Sequence, residues 1–147
     1  MEKVSAVSDE FLRLARSDSC YEDLSHMKLQ KLIYCAYGWS LAILDERLFA
    51  EKIQVWEYGP IINSVYCRFR RFGMRRITLL PKEELLEQYN KGLILQVWDN
   101  YKSWTERNLS TASHEPDAPW TLAKARHDFI LRDDEIKGYF LRKLYDQ

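Results

Sequence analysis

The chain has 147 residues, which suits one domain with one hydrophobic core, and its 46% hydrophobic content excludes an intrinsically disordered protein. Its 22 basic and 22 acidic side chains cancel, so no net charge attracts a nucleic acid or an anionic membrane over long range. No apolar run approaches the ~18 residues of a membrane helix, and the N-terminus is charged where a signal peptide is apolar, so we expect a cytoplasmic protein that does not bind membranes.

The first two predicted elements are helices. Apolar residues recur at helical spacing over 7–15, behind a Ser8 cap. A second helix begins after Ser25, which suits the N-cap position, and continues to about residue 44 without a proline. Apolar side chains cover nearly the whole circumference of this second helix, and such a helix is normally enclosed by others. We therefore predict that 26–44 is the central element of the fold.

The next segment changes to short β-branched and aromatic runs. Two such runs, separated by polar residues, predict a small hairpin over about 47–58. Gly59 then interrupts the pattern, and Pro60 suits the first position of a helix, where a missing N–H costs nothing. Apolar spacing of three and four extends this helix to Gly73, which ends it. Residues 77–79 are a further strand candidate.

The second half of the chain is again helical. Pro81 opens a long helical region, with Glu83 and Glu84 in the first turn, where the helix dipole favours negative charge. Gly92 divides this region in two. Residues 108–119 have the composition of a loop, and we predict no regular structure there.

Two short elements complete the prediction. Pro119 starts a short helix, and Asp133 or Asp134 caps a last one. The fold class that follows is mainly α: one compact domain over 1–147 around a central helix. The β-structure is a small hairpin or short antiparallel sheet at about 47–58, with 77–79 as an optional addition.

Signatures of catalysis and of metal binding are absent from the sequence. It contains no phosphate-cradling glycine loop, no metalloprotease motif, no serine-hydrolase elbow and no dinucleotide fingerprint. The three histidines lie far apart, and the cysteines at 20, 35 and 67 match neither a disulfide framework nor a zinc pair. We therefore predict reduced thiols, no metal and no cofactor.

The run Ser113-His114-Glu115 has two interpretations. A histidine beside a hydroxyl and a carboxylate can act as a general base. Catalytic groups are usually assembled from separated segments, however, because side chains of adjacent residues diverge. The favoured interpretation is that His114 bonds to the backbone and fixes the segment that enters the Pro119 helix.

Five arginines within nine residues form the one concentrated charge cluster, and they are Arg68, Arg70, Arg71, Arg75 and Arg76. On a continuous helix, Arg68, Arg71 and Arg75 share a face that can meet phosphates or a partner's carboxylates. The simpler interpretation is a solvated face balanced by nearby glutamates. If the cluster does bind a partner, zero net charge favours a protein over a nucleic acid, although a nucleic acid stays an alternative.

An ordered set of motifs resembles the Panacea domain of phage-associated and SocA-like antitoxins. The opening motif is KLQKLIY at 28–34, followed by Ala36, Gly38-Trp39 and Leu41-Ala42. Further matches follow in order: Leu48-Phe49, Trp56, Tyr58-Gly59-Pro60, Val65-Tyr66, Ser113-His114 and Pro119-Trp120. The similarity covers about 5–145. Departures are minor, since Cys35 stands where an aromatic residue is common and Ser113 where threonine is frequent.

The resemblance implies a mainly helical, non-enzymatic protein that binds and neutralises a toxin encoded by an adjacent gene. In one branch of the family the antitoxin delivers its toxin to an ATP-dependent protease. The motif residues that are implied as structural or partner-binding are Lys28, Gln30, Lys31, Tyr34, Trp39, Trp56, Tyr58, Gly59, Pro60, Tyr66, His114, Pro119 and Trp120. Either the domain surface itself contacts the toxin, or the chain is a bare domain with another use. The sequence carries no feature that sets an oligomeric state.

Polar residues within the central helix raise a further expectation. Lys28, Gln30 and Lys31 need hydrogen-bond partners if the helix is enclosed, because burial of an unpartnered polar group is costly. We predict a structural polar network that includes His114 or backbone carbonyls. The sequence alone does not assign all of Trp56, Tyr58, Trp98, Trp104 and Trp120 to the core. The core is the favoured place for each one, and any that is exposed would mark a binding surface.

Overall fold

A computed structural model describes residues 1–18, 24–82 and 85–146. The helices are α1 (Val4–Ser17), α2 (His26–Trp39), α3 (Asn63–Phe69), α4 (Gln88–Tyr101), α5 (Glu106–Ser113), α6 (Pro119–Ala125) and α7 (Asp133–Tyr145). The strands are β1 (Gln54–Trp56) and β2 (Gly59–Ile61), which form one antiparallel sheet. A π-helical turn (Ser40–Leu44) follows α2, and a 3-10 turn (Arg70–Phe72) follows α3. The predicted mainly α fold with a small antiparallel sheet is confirmed.

Helix α2 is the centre of the molecule, as the apolar coverage of its circumference predicted. Every residue from Lys28 to Leu41 is buried, and α1, α3, α4, α5 and α7 all pack against this helix. Ser25 is the N-cap, and its side chain accepts a hydrogen bond from the Lys28 amide. The chain continues past Trp39 as the π-helical turn, which ends at Asp45 in the left-handed conformation (φ 54°). The predicted span of 26–44 is therefore helical throughout, with a wider last turn.

Close packing between α2 and α7 depends on Gly38. A Cβ atom added at this residue would lie 2.1 Å from the ring of Phe140, a distance that no packing tolerates. The same ring makes edge contacts with Tyr34 and Trp39, at centroid distances of 5.7 and 5.1 Å. Gly38 thus allows an aromatic side chain of α7 to pack directly on the backbone of α2.

The hairpin is shifted by a few residues from its predicted place. Val55 pairs with Pro60 and Trp56 with Gly59, so β2 contains the glycine and proline that were expected to start a helix. Gly59 has φ 126°, which side-chain-bearing residues rarely adopt, and it turns the chain back immediately after the exposed Tyr58. Pro60 has no N–H group to donate. It is tolerated because β2 is an edge strand of a two-stranded sheet, where one side of the strand makes no ladder hydrogen bonds.

The remaining predicted strand residues do not join this sheet. Phe49 pairs only with Glu2, in an isolated parallel bridge. Residues 77–79 are not a strand: the Ile77 amide donates to the Leu24 carbonyl, and the bridge next to it joins Arg76 to Ser25. The free edge of β1 is covered instead by 129–131, since the Val55 amide donates to the Phe129 carbonyl.

Several helix boundaries differ from the predictions. Helix α1 begins at Val4, and Ser8 lies within it, where its hydroxyl donates to the Ser5 carbonyl. Helix α4 begins at Gln88 rather than at Pro81, and it continues through Gly92. Glu83 and Glu84 lie outside the described residues.

The prediction of a loop over 108–119 is wrong, because the whole first half of this segment belongs to α5. Thr105 caps this helix by accepting a hydrogen bond from the Asn108 amide. Pro119 is at the first position of α6, as predicted. Asp133 is the first residue of α7 and does not cap it, although acidic residues do occupy the first turn.

Candidate functional site

Gln30 joins the central helix to the chain that leaves the hairpin. Its side-chain carbonyl accepts from the Ile62 amide (3.0 Å), and its NH₂ group donates to the Ile62 carbonyl (3.2 Å). The NH₂ group also lies 3.1 Å from His26 Nε2, which fixes that nitrogen as an acceptor. Gln30 is fully buried, so each of these bonds satisfies a group that has no access to water. Burial, followed by the positive charge of Lys31, lowers the pKa of His26 to about 4.

The two lysines of the opening motif, one helical turn apart, reach backbone carbonyls of different parts of the chain. Lys28 Nζ donates to the Lys102 carbonyl (2.8 Å), and Lys31 Nζ donates to the Tyr58 carbonyl at the hairpin turn (3.3 Å). Desolvation lowers the pKa of Lys31 to about 8. The predicted backbone partners are thus observed for these side chains, whereas His114 contacts neither lysine.

The hairpin is held against α3, α5 and α6 by aromatic side chains. Trp120 Nε1 donates to the Trp56 carbonyl (2.7 Å), and the Trp56 ring packs on Tyr66 with centroids 4.8 Å apart. His114 packs on the Trp120 ring at 4.0 Å. We call these residues, together with the residues of α2 that bond to the hairpin and its exit, the motif cluster. Its members are Gln30, Lys31, Trp56, Tyr58, Gly59, Pro60, Tyr66, His114, Pro119 and Trp120.

His114 is not arranged as a general base. Its Nδ1 lies 2.6 Å from the Ser110 carbonyl, which can only accept, so this nitrogen carries the proton. The Ser113 hydroxyl donates to the same carbonyl (2.7 Å) and therefore does not donate to His114. Glu115 bonds to Tyr139 and Lys143 rather than to the histidine. The favoured interpretation of a backbone-bound His114 matches this geometry.

Three motif residues lie outside the motif cluster: Lys28, and also Tyr34 and Trp39, which pack on Phe140 of α7. Trp39 Nε1 donates to the Tyr101 hydroxyl (3.2 Å). Tyr34 is buried, and within the part of the chain that the structure describes its hydroxyl has no hydrogen-bond partner. The motif therefore contributes to two different faces of the central helix.

The arginine cluster does not form one face. Arg68 lies on α3 and donates to the buried Asp9 carboxylate (2.6 Å) and to the Ser8 hydroxyl (3.0 Å), which docks α3 on α1. Arg71 belongs to the 3-10 turn, and Arg75 follows it with its guanidinium bonded to the Phe72 and Arg71 carbonyls. The continuous helix on which Arg68, Arg71 and Arg75 would share a face does not form, because α3 ends at Phe69.

Residues 70–82 form a basic and partly apolar surface, which we call the arginine segment. It contains four arginines and one lysine but no acidic residue. Arg70, Arg71 and Arg75 are exposed, and none of them forms an ion pair with another described residue. Met74 and Leu80 are 95% and 66% exposed, and Leu85 just beyond the segment is 99% exposed. Sequence reasoning missed these three apolar side chains, since periodicity alone does not place a residue outside a regular element.

The aromatic residues divide between core and surface. Trp98 and Trp120 are buried and Trp56 is half-buried, whereas Tyr58 and Trp104 are 71% and 38% exposed. Cys35 and Cys67 are free thiols, and Cys20 lies outside the described residues. Over the described ranges, no three His, Cys, Asp or Glu side chains are grouped so as to hold a metal ion, and no helix has the length and apolar character to cross a bilayer.

A family model of SocA-like antitoxins with a Panacea domain matches residues 29–121. The chain belongs to this family. The matched part of this Panacea chain begins in α2 and ends in α6, so it contains the hairpin and the arginine segment. Membership gives the protein a general role in a toxin–antitoxin system and indicates regulation rather than catalysis. The comparisons with curated proteins and with solved structures gave no match.

Proposed function

We propose that this protein is an antitoxin that binds a cognate toxin encoded by an adjacent gene and masks it in the cytoplasm. The observation that carries the proposal is the arginine segment, where Arg70, Arg71 and Arg75, which form no ion pair with another described residue, lie close in sequence to the exposed Met74 and Leu80. Arginine and methionine are enriched in the buried cores of protein interfaces, and large exposed apolar side chains next to them mark an interaction site.

The local geometry prepares Arg75 for this role. Its Nε donates to the Phe72 carbonyl (3.2 Å) and one terminal nitrogen to the Arg71 carbonyl (3.1 Å), so part of the side-chain entropy is lost before binding. The remaining N–H groups are available for a carboxylate. The partner surface that fits is an acidic patch next to an apolar recess that receives Met74 or Leu80.

The deciding experiment measures toxin affinity for two charge-reversal variants. Arg71→Glu with Arg75→Glu should weaken binding of the adjacent gene product about 100-fold, because two attractive contacts become repulsive. The matched control is Lys52→Glu with Arg107→Glu, which changes net charge equally at exposed positions outside the arginine segment. Equal affinity of both variants and the wild type would contradict the proposal.

The mode of neutralisation is tested separately. If the antitoxin masks its toxin, growth should be rescued in cells that lack the ATP-dependent protease. In the adaptor alternative, rescue requires that protease, and the toxin is degraded only when the antitoxin is present. Both modes begin with the same antitoxin–toxin contact, so the charge-reversal variant should fail to rescue growth in either mode.

An autoregulatory role on nucleic acid is the second candidate, because 70–82 contains five cations and no acidic residue. A protein that uses three of these cations on phosphates should bind DNA of its own promoter with a log–log salt slope of about −3. Loss of promoter binding in the charge-reversal variant, with toxin affinity unchanged, would favour this candidate over toxin masking.

A further inference from the structure

A pocket of about 90 Å³ lies between α2, α5 and α7, away from the arginine segment. Its walls are mostly apolar and include Leu109, Ala112 and Phe140. The exposed lining residues Trp104 and Lys143 mark the side on which it opens. None of its lining residues belongs to the arginine segment, so the proposed toxin contact does not use this pocket.

Two hydrogen-bond donors of α2 line the same pocket. Lys31 and Tyr34 are one helical turn apart, so both side chains lie on the α5 and α7 side of the helix. Within the described residues, the Tyr34 hydroxyl has no partner, and the Lys31 ammonium has one acceptor for its three N–H groups. Both side chains are more than nine-tenths buried. Buried donors in native proteins are nearly always paired, so these two indicate a ligand that accepts.

The acceptor groups of the pocket wall are already in use. Glu115 accepts from the Tyr139 hydroxyl (3.1 Å) and forms an ion pair with Lys143 (3.0 Å), which offsets its charge. Burial raises the pKa of the Cys35 thiol to about 12, so this group is neutral beside Lys31. The pocket therefore offers an ammonium and a hydroxyl donor within apolar walls. The charge of Glu106 also acts on Lys31, but Glu106 is not among the lining residues and accepts from the Ser25 hydroxyl.

We propose that this pocket binds a carboxylate on a compact apolar body, with Lys31 and Tyr34 donating to the carboxylate oxygens. An apolar cavity of about 150 Å³ accommodates benzene, so the space here fits a branched aliphatic group of about four carbons. Two sources carry this chemistry: a free short-chain organic acid, and the C-terminal residue of a peptide that ends in leucine or valine.

The chain retains Lys31 at a cost in stability, which supports a binding role. A methionine would fill the same space without a charge to desolvate. Residues that break the rules of core packing without a structural gain are typically functional. Lys31 is bonded to one carbonyl at 3.3 Å, and the charge of Glu106 offsets only part of the cost of desolvating the ammonium.

The first test is a titration of isotopically labelled protein with isovalerate, followed by amide and methyl chemical shifts. Isovalerate should bind, and isovaleramide, which has the same shape without the charge, should bind about tenfold more weakly. Tyr34→Phe removes only the unpartnered hydroxyl and should weaken isovalerate about fivefold. Tyr89→Phe removes an exposed hydroxyl on α4 and should leave the affinity unchanged.

The second test separates the two sources and guards against misfolding. A short peptide that ends in leucine with a free carboxylate is compared with its C-terminal amide; tighter binding than isovalerate identifies a peptide terminus, and weaker binding a free acid. Ala112→Leu fills the pocket and should abolish binding while circular dichroism stays native. No shift with either carboxylate up to about 20 mM, or equal binding of acid and amide, would overturn the proposal.

Discussion

The motif cluster and the arginine segment differ in almost every physical respect. In the motif cluster, Gln30, Lys31 and Trp120 each bond to a backbone group of the hairpin or of its exit. In the arginine segment, Arg75 bonds only to its own turn, and Met74 lies in solvent. The comparison suggests that, with the exception of Lys31, the residues by which the family is recognised hold the fold, whereas the residues that we propose for the toxin contact lie where the fold makes few demands.

The largest expected effect is the loss of the Gln30 contacts. Gln30→Leu removes the partners of the buried Ile62 amide and of His26 Nε2, while the Ile62 carbonyl keeps the Tyr66 amide, and this should lower the free energy of unfolding by about 3 kcal/mol. Urea denaturation measures this change, with the exposed Gln96→Leu as a matched control that should change stability little. If Gln30→Leu has the stability of the wild type but has lost toxin affinity, the motif cluster binds the toxin rather than holding the fold.

Replacement of Lys31 should have a smaller effect of opposite sign. The pKa of Lys31 in the folded state, about 8, lies below the ordinary 10.5, so the charged form is disfavoured by folding at neutral pH. Lys31→Met should therefore raise the free energy of unfolding by about 2 kcal/mol at pH 7.

The sign of the pH dependence checks this explanation. The wild type gains stability as the pH rises from about 8 to 10.5, because the unfolded chain still binds a proton that the folded chain has lost. The amount by which Lys31→Met exceeds the wild type in free energy of unfolding should therefore shrink between pH 8 and 10.5 and stay constant below pH 8. The exposed Lys91→Met should show neither effect, and a pH-independent difference would contradict the assignment to Lys31.

The smallest effect on stability is expected in the arginine segment. Arg71→Ala with Arg75→Ala should change the free energy of unfolding by less than about 0.5 kcal/mol, because exposed arginines without ion pairs contribute little. Arg68→Ala is the informative contrast, since it leaves the buried Asp9 without its guanidinium and should cost about 2 kcal/mol. Equal thermal stability of the two variants would remove the distinction drawn between these arginines.

The sequence was sufficient to predict the parts of the fold that local pattern controls. Apolar coverage identified α2, Ser25 identified its start, and Pro119 identified the start of α6. Helix α5 was missed because it buries only Leu109 and Ser113, too few positions to produce a periodic signal. Its formation depends instead on the Thr105 cap and on packing against α2.

The site residues were harder to assign, because their roles depend on distant parts of the chain. Gln30 and Lys31 were correctly expected to need partners, but their partners are carbonyls 32 and 27 residues away. Arg68 was grouped with its sequence neighbours, whereas its carboxylate partner is 59 residues away on α1. Charge clusters in a sequence show which side chains are basic, and only tertiary contacts show which of them are already in use.

Gly59 sets a limit on how this molecule can be re-engineered. Its φ of 126° excludes most side chains, and a Cβ atom there would lie 2.8 Å from Lys31 Nζ. A library that aims to retarget the antitoxin should therefore keep this glycine invariant and randomise exposed positions such as 71, 74 and 75. Diversity placed there leaves the hairpin anchor intact, so that variants with a new specificity remain folded.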